Sequence, residues 1–317
     1  MERIGNTLNN RYRLEQKIGE GGFAHIFLAT DLELGRQVAV KILEQTKDKD
    51  LLVRFRNEAR AVAVLDHPNI LQIYDFNVSR GTPYIVMPYI RGGTLASQMK
   101  QEQLTLDEIG FYLSQIGSAL DYAHQHGVIH RDVKPSNLLI RPDGQLLLMD
   151  FGLAKLIGST ASLATSTLLG TVAYMSPEQF QGLVSPASDI YMLGIILYQA
   201  LTGKLPYQGN TDEVLVGHVY ANPKSLVGQI TIRSVHPAVV QALDQVVMKV
   251  LAKLPTDRYP TCQALTSAYY QALKADPTKV AALENGEPSK ISLQSGGSKQ
   301  VVAAPAIDSL AEVWMCP

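Results

Sequence analysis

Three side chains able to work on phosphate groups, Asp132, Asn137 and Asp150, fall within one stretch of the chain, Val128 to Gly152. Carboxylate and amide oxygens of this kind suit Mg²⁺, which binds one or two such protein ligands and completes its shell with substrate phosphates. Something must bring them together. Two short apolar runs, Leu138 to Ile140 and Leu146 to Met149, flank the turn Arg141-Pro142-Asp143-Gly144 and predict a small β-hairpin. Asp132 and Asn137 then lie on the loop entering the first strand and Asp150 leaves the second, so the three groups converge at one end of the hairpin.

The whole chain has 317 residues, enough for two domains or one two-lobed unit with a sizeable core. Its 28 Lys and Arg balance 29 Asp and Glu, and a net charge of -1 gives no reason to expect a nucleic-acid or anionic-membrane partner. Cys262 and Cys316 lie far apart in sequence and predict two unpaired thiols in a reducing compartment. The start, MERIGNTLNN, lacks the apolar centre of a signal peptide. No apolar run reaches the roughly eighteen residues a membrane span needs. The nearest, Ile190 to Leu201, follows Asp189 and contains Gly194 and Gln199, and is expected to be a buried helix. The expected location is the cytoplasm.

Tyr12 to Lys41 has the pattern of a β-meander, with a glycine loop, Gly19-Glu20-Gly21-Gly22-Phe23-Ala24, between its first two strands. β-Branched and aromatic residues continue past this loop through Ile26 and Phe27, whereas a dinucleotide-binding turn would open a helix there. Glycines let backbone N–H groups approach phosphate oxygens. Asp50 to Leu65 is helical by the spacing of Phe55, Ala59, Val62 and Leu65, carries Glu58, and ends before Pro68. Strands over Ile70 to Asn77 and Thr82 to Met87 bring the sheet to five. A capping box at Thr105 to Glu108 opens a helix that Gly127 stops. Residues 158–167 form a polar loop, and helices are expected near Asp212 to Tyr220, Pro237 to Leu251 and Cys262 to Ala275. From Asp276 the chain is largely polar, with a flexible Ser295-Gly296-Gly297-Ser298, and it ends in a short apolar segment, Val301 to Pro317.

His130-Arg131-Asp132 followed five residues later by Asn137, then Asp150-Phe151-Gly152, the glycine loop, Val38-Ala39-Val40-Lys41 and Ser176-Pro177-Glu178 occur in the order seen in protein kinases. From Tyr12 to Ala275 the chain resembles that family, and its wording is similar to the bacterial, Hanks-type serine/threonine members. The resemblance implies an α+β, two-lobed fold: a small lobe with a five-stranded sheet and one main helix (12–87), a hinge (88–90) and a larger, mainly helical lobe (91–275). Residues 1–11 would be an extension, and 276–317 a flexible linker and tail.

The same resemblance implies ATP between the lobes, contacted by Ile18, Gly19, Glu20, Gly21, Gly22, Phe23, Ala24, Ile26, Ala39, Lys41, Met87, Pro88, Ile90 and Leu139. Glu58 would pair with Lys41, Asp132 would steer the acceptor hydroxyl proton, and Asn137 and Asp150 would hold Mg²⁺ or Mn²⁺. His130 would pack and orient. Lys134 and Thr171 imply serine or threonine acceptors in protein substrates. Arg131 would receive a phosphate placed on the loop after Gly152, with Thr165 the first candidate and Thr167, Ser166 and Thr160 next. Glu178 and Arg258 would form a buried pair, and Asp189 would anchor the catalytic-loop backbone. Activity would include autophosphorylation, through a transient homodimer, in bacterial signalling. A non-catalytic scaffold of the same fold is disfavoured because Lys41, Glu58, Asp132, Asn137 and Asp150 are all present. A small-molecule phosphotransferase is disfavoured by Lys134, Ser176-Pro177-Glu178 and Arg258.

Overall fold

The computed structural model describes residues 4–21, 24–43, 48–151 and 172–276. Its small lobe is an antiparallel sheet of β1 (Thr7–Leu8), β2 (Tyr12–Gly21), β3 (Ala24–Asp31), β4 (Arg36–Leu43), β5 (Asp75–Ser79) and β6 (Thr82–Pro88), in the order β1-β2-β3-β4-β6-β5. The two-residue alternation of a strand sorts β4 cleanly. Val38, Val40 and Ile42 join Tyr12, Phe27 and Tyr84 in one apolar layer, while Ala39 and Leu43 face the other way, toward the larger lobe. Helix α1 (Lys49–Ala63) covers that second face with Phe55 and Ala59.

Two expectations change here. The expected extension joins the sheet at Thr7: β1 pairs with β2, Leu8 opposite Tyr12, and Leu8 is buried. The reversal uses Asn9 and Asn10 at φ 46° and 57°, a region asparagine tolerates better than most residues. The strand expected from Ile70 begins only at Asp75. Ile70 instead bridges Leu148, and Leu71 N–H donates to the Leu148 carbonyl at 2.9 Å, so this apolar stretch crosses to the larger lobe and ties the two together.

The larger lobe holds α2 (Leu95–Gln101), α3 (Leu106–Gln125), α4 (Pro186–Thr202), α5 (Thr211–Tyr220), α6 (Pro237–Val250) and α7 (Cys262–Leu273), with a small sheet of β7 (Gly93–Thr94), β8 (Leu138–Ile140) and β9 (Leu146–Leu148). The capping box is present: Glu108 N–H donates to Thr105 Oγ1 at 3.2 Å and Thr105 N–H to Glu108 Oε2 at 2.8 Å. Asp121 on α3 accepts the first N–H groups of α7, from Cys262 and Gln263, at 2.9 and 2.8 Å. Cys262 is a free, buried thiol; Cys316 lies outside the described residues. Helix α4 is buried almost throughout. Gly194 lets it approach α6, for a Cβ there would fall 2.6 Å from Val250 Cγ1.

Two polar networks hold this lobe. Arg258 donates to both Glu178 oxygens at 2.7 and 2.8 Å and to the carbonyls of Ala187, Ala252 and Lys253, and Ser188 adds a hydroxyl to Glu178. Burial works against the Glu178 charge, but the Arg258 hydrogen bonds hold its carboxyl below the usual range. In the second network, His218 of α5 is fully buried between the Tyr191 hydroxyl (3.0 Å) and the Ala173 carbonyl (3.2 Å). Burial, with a smaller push from Lys253, lowers its imidazole pKa to about 4.

Replacing Arg258 by methionine strands the Glu178 carboxylate, and equilibrium urea unfolding is expected to show a loss of about 3–5 kcal/mol. For His218 the unfolded chain takes up a proton below the ordinary 6.5, the folded chain only near 4, so its stabilising contribution is complete above 6.5 and is lost as pH falls toward 4. Between pH 7 and 5 the parent should lose about 2 kcal/mol more unfolding free energy than His218→Gln. Parallel pH–stability curves would refute that assignment.

Candidate active site

The backbone of His130 and Arg131 hangs from one carboxylate. Asp189, fully buried near the start of α4, accepts the N–H of His130 on Oδ2 and of Arg131 on Oδ1, both at 2.8 Å, and meets His124 Nε2 at 2.8 Å. These bonds fix Arg131 at φ 68°, a left-handed conformation that a non-glycine residue keeps only when its surroundings impose it. His130 is also fully buried. Its Nδ1 accepts Asp132 N–H at 3.2 Å, which leaves the proton on Nε2 to donate to the Met149 carbonyl at 2.8 Å, and the ring packs 4.6 Å from Phe151. Burial pushes its pKa down, so the ring stays neutral and orients the loop.

Asp132, Lys134 and Asn137 are drawn into one cluster. Asn137 Nδ2 donates to the Asp132 carbonyl at 2.8 Å and to its carboxylate at 3.0 Å, and Lys134 Nζ lies 3.4 Å from the same carboxylate. Asn137 closes a 3-10 turn, Pro135–Asn137, and its carbonyl accepts Met149 N–H at 3.0 Å. That bond puts the end of β9, and Asp150 after it, beside the start of β8, as the hairpin reading requires. Because the Asn137 amide nitrogen faces Asp132, its oxygen is turned to the opposite side.

Asp150, at φ 64°, receives Lys41 Nζ at 2.8 Å. The expected pair of Lys41 with Glu58 is not formed: Glu58 lies 3.5 Å from Arg131 NH1 instead. The reason is local. Lys41, projecting from β4, has the carboxylate of Asp150 within direct contact, while Glu58 on α1 is aimed at the guanidinium of the catalytic loop. Half-burial raises the Glu58 pKa, and Arg131 opposes that shift.

Above these charges lies an apolar cluster drawn from both lobes. Ile18, Ala24, Ile26, Ala39 and Met87 come from the small-lobe sheet and Leu139 from β8, with Ile90 packed against them. Gly19, Glu20 and Gly21 end β2 opposite Ile26, His25 and Ala24; Glu20 pairs with Lys17 at 2.8 Å, and Pro88 ends β6 opposite Val38. Gly22, Phe23, Thr171, Thr160, Thr165, Ser166 and Thr167 lie outside the described residues. Sequence reasoning missed a groove of about 980 Å³ beside the catalytic loop, lined among others by Lys134, Ser136, Ala173, Tyr174, Gln199 and Tyr207. Its signal was a glutamine, Gln199, in the apolar run Ile190 to Leu201.

The family described as protein kinase domain matches residues 12–270. Serine/threonine-protein kinase PrkC of Bacillus subtilis is 38% identical over 278 residues, covering 86% of this chain and 42% of the relative. Serine/threonine-protein kinase PknA of Mycobacterium tuberculosis is 42% identical over 234 residues, 71% of this chain and 54% of that protein. The chain thus spans about half or less of the curated relatives it matches. The crystal structure of the M. tuberculosis PknI kinase domain superposes with a TM-score of 0.69 at 25% identity, covering 86% of this chain and all of that one. A two-lobed architecture with its charged groups gathered between the lobes, matched over this length in both sequence and structure, places the chain in the protein kinase domain family.

Proposed function

We propose that the chain transfers the γ-phosphoryl group of ATP to serine or threonine hydroxyls of proteins. The observation that carries this reading is the gathering of Lys41, Asp132, Lys134, Asn137 and Asp150 into linked contacts beneath the interlobe apolar cluster. An adenine ring would be held by that cluster, with Met87, Pro88 and Ile90 at its hinge edge and the backbone of Gly19 to Gly21 toward the phosphates.

The donor set also fits Mg²⁺ or Mn²⁺. Asp150 already holds a cation, the Lys41 ammonium, on one oxygen, and the amide oxygen of Asn137 faces away from Asp132. Bound metal would supply positive charge against the phosphate oxygens. Asp132 would steer the acceptor hydroxyl and take its proton, and Lys134, 3.4 Å from that carboxylate, would face the transferred group. With Asp150 on the metal, Lys41 would turn to the phosphates and to Glu58. The Lys134–Asp132 contact supports serine/threonine acceptors, a reading in which Thr171 would be the second partner of Lys134.

Arg131 would accept a phosphate on the segment after Gly152, Thr165 first and Thr167, Ser166 and Thr160 after it, through autophosphorylation in a transient homodimer. Its similarity to serine/threonine-protein kinases of Bacillus subtilis and Mycobacterium tuberculosis supports a bacterial signalling role. Among the described residues no helix is long and apolar enough to cross a membrane. A cytoplasmic site of action is part of this proposal.

Incubation with Mg-ATP should add phosphate within residues 159–171, seen by intact mass and peptide mapping, and Asp132→Asn should lower the rate by about 10²-fold or more. Equal rates in the two would remove Asp132 from its role, and ATP binding without transfer in the parent would favour a scaffold. Glu58→Gln should cost under about 1 kcal/mol of stability, since its pair with Arg131 is partly exposed. Its kcat/KM for ATP should nevertheless fall about tenfold or more, a loss of transition-state stabilisation of at least ~1.4 kcal/mol. An unchanged value would mean that Glu58 never pairs with Lys41 during turnover.

A further inference from the structure

We propose that His218 is a positioning residue for acceptor recognition: from α5 it holds the Ala173 carbonyl and so sets one wall of the groove beside the catalytic loop. This rests on the kinase reading of the site and names the element that shapes its protein-substrate side.

The groove runs from Lys134 and Ser136 on the catalytic loop to Ala173 and Tyr174, with Gln199 and Tyr207 behind them. The groove offers a hydroxyl-bearing segment a path to Asp132, because Lys134 is both a lining residue and the cation on the Asp132 carboxylate. Residues 172–175 thus form a shelf, and its level decides where an acceptor lies relative to Asp132.

Side chains from separate elements hold that shelf. Tyr174 donates its hydroxyl to Gln199 Oε1 on α4 at 2.7 Å. Gln179 donates Nε2 to the Arg131 carbonyl at 3.1 Å while its Oε1 accepts Ser176 N–H at 2.9 Å. His218 supplies the third hold. Its Nδ1 lies 3.0 Å from the Tyr191 hydroxyl, whose proton it accepts, so Nε2 carries the ring proton and donates it to the Ala173 carbonyl at 3.2 Å.

The imidazole cannot drift. Tyr207 meets it edge-on at 4.8 Å, and Tyr191 and Phe180 lie at 5.8 and 6.2 Å. Its own backbone is clamped as well: Lys253 Nζ donates to the His218 carbonyl at 2.7 Å, to Gly217 at 3.0 Å and to the Tyr207 hydroxyl at 2.8 Å. Gly217 is required for this closeness, since a Cβ there would stand 2.7 Å from the Tyr207 ring. An apolar residue would fill the same aromatic cage without the desolvation cost of a buried imidazole. What only the imidazole supplies is a pair of directed bonds joining α4 to the shelf.

The test is steady-state phosphorylation of dephosphorylated casein with ATP varied and casein varied, using the full chain. His218→Phe keeps ring volume and removes the donor; it should raise KM for casein about 3- to 10-fold, the worth of one buried hydrogen bond, with KM for ATP unchanged. His218→Gln, which returns an N–H near Nε2, should restore the casein KM to within about twofold. An unchanged casein KM in His218→Phe, equal rises for casein and ATP, or no difference between the Phe and Gln variants would each overturn the proposal. If His218→Phe does not fold, Lys253→Met loosens the same backbone and should raise the casein KM alone; no change there overturns the proposal equally. A parent that hydrolyses ATP but phosphorylates no protein would instead sink the kinase reading, and this inference with it.

Discussion

A carboxylate sealed from solvent, Asp189, imposes the constraint on which the site rests. A buried charge is costly unless donors surround it, and here two backbone N–H groups and an imidazole do so at 2.8 Å each. The donors are those of His130 and Arg131, so satisfying Asp189 and fixing the catalytic-loop backbone are one event. The positive φ of Arg131 follows from it. From that turn the chain delivers Asp132 to Asn137 and Lys134, and His130 passes the constraint on to Met149, the residue before Asp150. One buried interaction therefore sets the positions of groups eighteen residues apart in the chain, from Asp132 to Asp150.

Helix α4 extends the same support along its length. Asp189, Met192 and Gln199 recur at spacings that keep them on one side of a helix. They hold, in turn, the backbone of His130 and Arg131, the N–H of Val133 at 3.2 Å from the methionine sulfur, and the hydroxyl of Tyr174. Ala187, Ser188 and Tyr191 look toward the Glu178–Arg258 pair, with Tyr191 4.7 Å beneath the guanidinium. Gly194 then brings α6 against the helix. A helix this apolar needs a fully enclosed place, and the few polar groups it carries are there because each satisfies a specific partner.

Local rules made much of this visible in the sequence. The hairpin of β8 and β9, the capping box of α3, the stop at Gly127 and the ends of α5, α6 and α7 depend on neighbours within a few residues, and they fall within about two residues of expectation. What was not legible depends on how distant elements meet. Nothing local tells Ile70 and Leu71 to bridge Leu148 rather than extend β5. Leu8 reads as one apolar residue in a polar start until Tyr12 and Tyr84 are known to enclose it. His218 in α5 and Lys253 in the loop after α6 look like ordinary surface residues, and only the approach of α5 to residues 172–175 makes them a network. The Glu178–Arg258 pair and the contact of Lys134 with Asp132 were foreseen from the sequence, but the pairing of Lys41 with Asp150 and of Glu58 with Arg131 was not, because it is set by the relation of the two lobes.

Those ion pairs define what the cleft can do. Lys41 with Asp150 and Glu58 with Arg131 each join an element of the small lobe to one of the large. On the kinase reading the four groups would re-pair, Lys41 with Glu58, Asp150 with a divalent cation and Arg131 with a phosphate. The two present pairs are not equivalent. Glu58 and Arg131 are 35% and 39% exposed, and a pair so placed contributes little, about 0–1 kcal/mol. Lys41 and Asp150 are 11% and 16% exposed, and desolvation makes that contact harder to break unless an incoming cation takes the carboxylate. The order of events follows from this inequality. On the kinase reading proposed above, release of Glu58 from Arg131 would be cheap and could precede ligand binding, whereas Lys41 would leave Asp150 only when a cation takes that carboxylate, so Asp150 would govern when Lys41 becomes available to phosphate.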